Sequence, residues 1–168
     1  MPQLTVPVVN VCRSYLRAIE EYQREGGYPD FDDLDVGEPK AFADYVARLR
    51  DDPRRKVEPW MAPMTLLWWV EGAEYLGRVS IWHWLAGPLA EAGHIGYDVR
   101  PSARGRGLAT PMLAAALPHA TRLGIDPALV TPRVTNVASR RVIENNGGQL
   151  VEEREGRLYF HLPTAGGS

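Results

Sequence analysis

The hydrophobic pattern starts with a helical period. Val11, Tyr15, Ala18, Ile19 and Tyr22 share one face of a helix predicted over residues 10–25, and Gly26 and Gly27 stop it. A second helix is predicted over Pro39–Arg50, with Phe42, Tyr45, Val46 and Leu49 on one face. The stretch between them, DFDDLDVG, reads as an acidic loop, and DDPRRKVEPWMAP after the second helix as a charged, proline-punctuated connection. At Met64 the period drops to two. MTLLWWVE (64–71) is apolar on both alternating faces, which predicts a strand covered on both sides, and residues 75–85 after the GAE turn predict its hairpin partner.

AGPLAEAG reads as a loop and residues 94–99 as a third strand. A helix is predicted over 107–123, closed by Gly124. Pro111 fits its first turn, where N–H groups lack partners anyway, and Pro118 predicts a kink or a break. Residues 128–131 predict a short strand whose pairing ends at Pro132, which has no N–H to donate. NVASRRVIENNGG predicts a short helix capped by Gly147 and Gly148, and 149–155 with 157–162 a closing hairpin. The resulting order is two helices, three strands, helix, strand, helix, two strands. That is an α/β fold of the mixed α+β kind, one sheet with helices on both faces, without repeats and within a single domain over residues 1–168.

Composition narrows the class. A chain of 168 residues can bury a real core, and 45% apolar with 24% charged residues is ordinary soluble-globular composition. A net charge of −2 argues against a nucleic-acid binder. The single Cys12 cannot form an internal disulfide, and no Cys/His spacing suggests a metal site. The N-terminal stretch lacks the charge and apolar run of a signal peptide, and MTLLWWV is too short to span a membrane. The expectation is a cytoplasmic protein with no membrane and no nucleic-acid partner.

The chemistry concentrates in HIGYDVRPSARGRGLATPMLAAAL, which passes from strand through a glycine-rich basic turn into a helix. Glycines in such a turn let an anion approach the unpaired N–H groups and positive dipole end of the helix. The same glycines also make a tight turn with no ligand at all. The stretch has neither the Lys-Ser/Thr pair of a nucleotide P-loop nor the GxGxxG spacing of a dinucleotide fold.

RGRGLA and NVASRRVIENNGG, about thirty residues apart, together resemble the GNAT superfamily of N-acetyltransferases. The acyl-CoA motif Gln/Arg-x-x-Gly-x-Gly/Ala is matched by Arg104, Gly107 and Ala109. The following Asn-x-x-Ser motif, closing on an Asn-Gly turn, is matched by Asn136, Ser139 and Asn146-Gly147. The resemblance covers residues 64–162 and is nearest to bacterial predicted acetyltransferases of unassigned acceptor.

It implies a mostly antiparallel sheet of about six or seven strands, with two neighbours splayed apart near Val99 and Thr131. The N-terminal helices within residues 10–50 would border the acceptor site. Acetyl-CoA would be the co-substrate, with no metal. Its pyrophosphate would lie on the N–H groups of Arg104, Gly105, Arg106, Gly107, Leu108 and Ala109, with Arg104 and Arg106 adding charge. Tyr97 and Val99 would line the pantetheine arm, and the Val99 N–H would polarise the thioester carbonyl. Asn136 would hydrogen-bond the pantetheine with Ser139 nearby, although both residue types also cap helices.

The implied reaction is acetyl transfer to a primary amine of a small molecule or peptide, by direct attack in a ternary complex. The family's usual base, a Glu five residues before Val99, is replaced by His94, whose imidazole titrates near neutrality. His94 could equally be a core histidine, and Glu91 is the second candidate. His83, between Trp82 and Trp84, could reach the acceptor pocket or simply pack. The family's usual acid, a Tyr seven residues after the motif Asn, is Ile143 here. Tyr159 could replace it, water could serve, or the protein could be a non-catalytic acyl-CoA sensor. Asp30, Asp32, Asp33 and Asp35 could attract a cationic amine or form a solvated loop; Leu34 excludes a calcium loop. Trp60 or Trp84 could wall the acceptor site. The exposed edge of the closing hairpin could pair with a second subunit as a homodimer.

Overall fold

A computed structural model describes residues 1–26, 39–50 and 62–166. The acidic loop with Asp30, Asp32, Asp33 and Asp35, and the connection carrying Trp60, lie outside the described residues.

Among the described residues, seven strands and five helices follow the predicted order with two additions. The strands are β1 (Gln3–Thr5), β2 (Met64–Glu71), β3 (Glu74–Trp82), β4 (Ile95–Val99), β5 (Ala128–Val130), β6 (Gln149–Arg154) and β7 (Arg157–Leu162). The helices are α1 (Cys12–Arg24), α2 (Pro39–Arg50), α3 (Leu89–Ala92), α4 (Ala109–Arg122) and α5 (Val137–Asn145). β1 had no sequence signal; it is a three-residue edge held by pairing Leu4 with Trp69 of β2. α3 is a single turn inside the stretch expected to be loop. β3 stops at Trp82, three residues short of the expected end. Pro118 sits inside α4 without ending it.

The strands form two sheets rather than one, ordered β1-β2-β3-β4 and β5-β7-β6, with every strand pairing antiparallel. β2 explains why both of its faces are apolar. Leu67 and Trp69 join a core with Val79, Ile81, Met112, Leu113, Ile143 and Phe160. Trp68 and Val70 join a second core with α1 and α2, where Tyr15 stacks on Trp68 at 4.7 Å between ring centroids. The alanines of α4 serve closeness: Ala116 and Ala120 are fully buried against the sheet. Gly77 of β3 has the same purpose, since a Cβ there would collide with the Asp98 carbonyl oxygen.

The sheets meet at one vertex and diverge from it. Gly93 bridges Val130, and the His94 N–H donates to the Leu129 carbonyl at 2.8 Å. A Cβ on Gly93 would stand 2.6 Å from that Leu129 oxygen, and its φ of +86° favours glycine independently. Beyond the vertex β4 and β5 part, as the resemblance implied.

Candidate active site

The free edge of β4 follows from hydrogen-bond parity. Trp82 donates to the His94 carbonyl and Arg100 donates to the Leu76 carbonyl, so even-numbered residues of β4 bond to β3. Tyr97 and Val99 therefore turn their backbone groups to the opposite edge, into the gap between the sheets. The 3₁₀ turn Pro101–Ala103 then leads into RGRG. Gly105 and Gly107 have φ of +73° and +70°, and a Cβ on either would meet no protein atom within 4 Å. Backbone conformation, not packing, demands glycine at both. α4 starts at Ala109, two residues later than its pattern predicts, because Gly107 is left-handed. Among the described residues, the N–H groups of Gly105, Arg106, Gly107 and Leu108 reach no backbone carbonyl. The first-turn donors of α4 add to them.

This edge, the turn and α5 enclose a cleft of about 630 Å³. Tyr97, Val99, Arg104, Gly105, Gly107, Leu108, Ala109, Asn136 and Ser139 all line it, so the structure brings nine of the ten expected cofactor residues together. Arg106 is exposed and outside the lining. Tyr97 spans the gap: its hydroxyl lies 2.7 Å from Ser139 Oγ and donates to the Ser139 carbonyl at 3.1 Å. Burial pushes the Tyr97 phenol upward, against the Ser139 bond, so it stays protonated at neutral pH. Asn136 is the N-cap of α5, its Oδ1 accepting the Ser139 N–H at 3.1 Å, and it lines the cleft as well.

The three expected catalytic residues lie elsewhere. His94 sits at the vertex, where its Nδ1 accepts the Leu129 N–H at 2.9 Å. With that lone pair occupied, the neutral ring carries its proton on Nε2 and is a donor, not a base. Partial burial lowers its pKa, which keeps it in that neutral form. Glu91 is exposed on α3, its backbone carbonyl accepting the Thr131 hydroxyl at 2.9 Å. Tyr159 is buried in β7 with the Arg154 guanidinium over its ring at 4.9 Å. Ile143 is fully buried in the core. His83 bonds Thr65 Oγ1 through Nε2 at 2.7 Å, on the opposite sheet margin from the cleft.

Two carboxylate-bearing regions escaped the sequence reading. Asp98 lines the cleft beside Val99; Oδ1 lies 3.4 Å from Arg104 Nη2, and Oδ2 is buried with no hydrogen-bond partner. The signal was its place between two chosen residues, on the opposite face. The end of α1 supplies the other. Glu21 takes Arg100 in bonds of 2.7–3.0 Å and also accepts the Ser102 N–H and hydroxyl. Burial works to raise the Glu21 pKa, but the guanidinium and the Ser102 donors outweigh it and hold the carboxyl below its usual range. Glu25 takes Arg104 at 2.9 Å. No local pattern could show contacts spanning about eighty residues.

A cleft between splayed strands, closed by a helix start rich in open donors, is the arrangement that the resemblance to N-acetyltransferases implied. The acetyltransferase (GNAT) domain profile matches residues 16–149, and the chain belongs to that family. Solved structures agree in fold. The ribosomal L7/L12 alpha-N-protein acetyltransferase RimL, in complex with coenzyme A, superposes with a TM-score of 0.63 at 19% identity, over 98% of this chain and 96% of that one. The microcin C7 self-immunity acetyltransferase MccE, in complex with acetyl-CoA and AMP, gives 0.62 at 16%, over 96% and 92%. The spermidine/spermine N-acetyltransferase SpeG from Vibrio cholerae gives 0.58 at 13%, over 98% and 96%. No curated protein sequence matches the chain.

Proposed function

We propose that the protein transfers an acetyl group from acetyl-CoA to a primary amine of a small molecule or peptide, by direct attack in a ternary complex. The observation that carries this reading is the run of unpaired N–H groups from Gly105 to Leu108, opening on the same cleft as the free edge of β4. Neutral donors at a helix start suit a pyrophosphate, and the strand edge at Tyr97 and Val99 suits the amides of a pantetheine arm. The Val99 N–H, directed into the gap, is placed to polarise the thioester carbonyl.

For the amine's proton the geometry favours Asp98 over His94. Asp98 is a residue of the cleft, and its Oδ2 has no hydrogen-bond partner among the described residues, whereas the acceptor lone pair of His94 is spent on Leu129. The nitrogen becomes much more acidic as its bond to the carbonyl carbon forms, so a carboxylate can accept its proton while the C–S bond breaks. The thiolate then takes a proton from water, since Ile143 offers none.

Calorimetric titration with acetyl-CoA, followed by thiol release across polyamines, peptide α-amines and aminoacyl nucleotides, tests the assignment. Binding with acceptor-dependent thiol release is expected, and no binding at millimolar acetyl-CoA would overturn it. The apolar Ile143 at the usual acid position favours one second reading, a non-catalytic acyl-CoA sensor. Binding without thiol release over the whole panel would select that reading. β6, exposed at all its residues on a sheet edge, keeps a homodimer within the proposal, and sedimentation velocity checks it.

A further inference from the structure

We infer that the two arginines lining the cleft divide the work: Arg104 is a latch that fixes the turn, and Arg141 is the cation that contacts a phosphate of the cofactor. The inference rests on the acetyl-CoA reading above.

Arg104 stands first in the motif, which would make it the obvious phosphate ligand. Its guanidinium is already engaged on every nitrogen. Nε donates to the Val99 carbonyl at 3.0 Å, Nη1 to both Glu25 oxygens at 2.9 and 3.0 Å, and Nη2 approaches Asp98 at 3.4 Å. Two carboxylates neutralise it, so a phosphate would have to displace one of them. What the side chain does instead is tie three pieces together: the end of β4, the turn and the residue following α1. The Glu21 bonds to Arg100 and Ser102 hold the other side of the same turn. Arg104 and Glu25 are positioning residues that act through the backbone donors after them.

Arg141 is the opposite case. It lies on α5, two residues beyond Ser139, is exposed and lines the same cleft. Among the described residues it has neither a hydrogen bond nor an ion pair, while its neighbour Arg140 is held by Glu144 at 2.7 Å. A free guanidinium presents a planar fork of donors that matches a phosphate. Arg106 of the turn lies outside the cleft lining and Arg104 is neutralised, so within the lining the turn offers neutral N–H groups and this side chain supplies a full charge. The cofactor carries phosphate at two places, the pyrophosphate and the ribose 3′ position.

The test is calorimetric binding of acetyl-CoA, and of its 3′-dephospho form, to wild type, Arg141→Gln, Arg104→Gln, Glu25→Gln and the Glu25→Gln/Arg104→Gln double variant. Melting temperatures control for folding. Arg141→Gln is expected to weaken acetyl-CoA binding roughly 10–100-fold at unchanged melting temperature, the worth of one charge-assisted bond. Loss of that penalty with the 3′-dephospho ligand assigns the 3′-phosphate, and its persistence assigns the pyrophosphate. Glu25→Gln and Arg104→Gln should each weaken binding, with the double variant no worse than Arg104→Gln alone. Arg141→Gln binding like wild type overturns its assignment. Weakening by Arg104→Gln but not by Glu25→Gln overturns the latch. Failure of wild type to bind acetyl-CoA would refute the underlying reading instead.

Discussion

The gap between the two sheets has a closed end and an open end, and they use the same kinds of group differently. At the closed end, the His94 N–H and Nδ1 bond the Leu129 carbonyl and N–H across the vertex, beside the bridge between Gly93 and Val130. At the open end, Tyr97 and the Val99 N–H present the same backbone chemistry, but β5 has turned away and the cleft lies between. The difference teaches that a site can arise by withholding a partner. The closed end supplies the rigidity, and the unmade ladder supplies the donors.

The hardest way to break this contrast is at the vertex. Gly93→Val puts a branched side chain on a left-handed residue against the Leu129 carbonyl, and should destabilise by at least ~3 kcal/mol or prevent folding, read by denaturant unfolding. At the turn anchor, Glu21→Ala leaves the buried Arg100 with the neutral Ser14 hydroxyl at 2.9 Å and, among the described carboxylates, Glu74 at 3.5 Å, and should cost about 3 kcal/mol. The sign of its pH dependence is fixed. A carboxyl held lower in the folded than in the unfolded chain stabilises fully above the unfolded value near pH ~4.3, and that contribution disappears as pH falls through the folded value. Glu21→Gln should therefore flatten the acid limb of the stability–pH curve relative to wild type.

At the open end the effects are on function. Gly107→Val should abolish measurable acetyl-CoA binding, because φ of +70° is closed to a β-branched residue. Retained affinity would mean that the turn is not the cradle. Asp98→Asn should lower turnover by roughly 100-fold with acetyl-CoA affinity changed far less. His94→Asn sharpens the comparison most finely. Its Oδ1 can still accept the Leu129 N–H, so turnover should fall less than about threefold, and stability by less than ~1 kcal/mol. Loss of turnover comparable to Asp98→Asn would return the base to the vertex histidine.

Legibility in the sequence follows interaction range. The helical stripe of α1, the two-sided apolar run of β2 and the strand–turn–helix at RGRG are local, and the structure matches them nearly residue for residue. The residues that line the cleft were readable for the same reason, since seven of the nine expected ones found there fall within Tyr97–Ala109. β1 was not, because three residues carry no period and exist as a strand only through β2. The surroundings of the candidate proton-transfer residues were not legible, because alternation says which residues share a face, not whose lone pair is already taken. His94 looks free in the sequence and is bonded in the fold; Asp98 looks like a surface carboxylate, and one of its oxygens is buried in the fold.

By itself, the sequence determined the element order, the two-sided core strands and the glycine turn before α4, since each depends on neighbours a few positions apart. Only the tertiary structure decided that the sheet divides at Gly93, that Arg104 belongs to Glu25, and that Arg141 meets no such partner among the described residues. Those outcomes depend on which distant groups meet, and a charge is free to act only when no other part of the chain has already reached it.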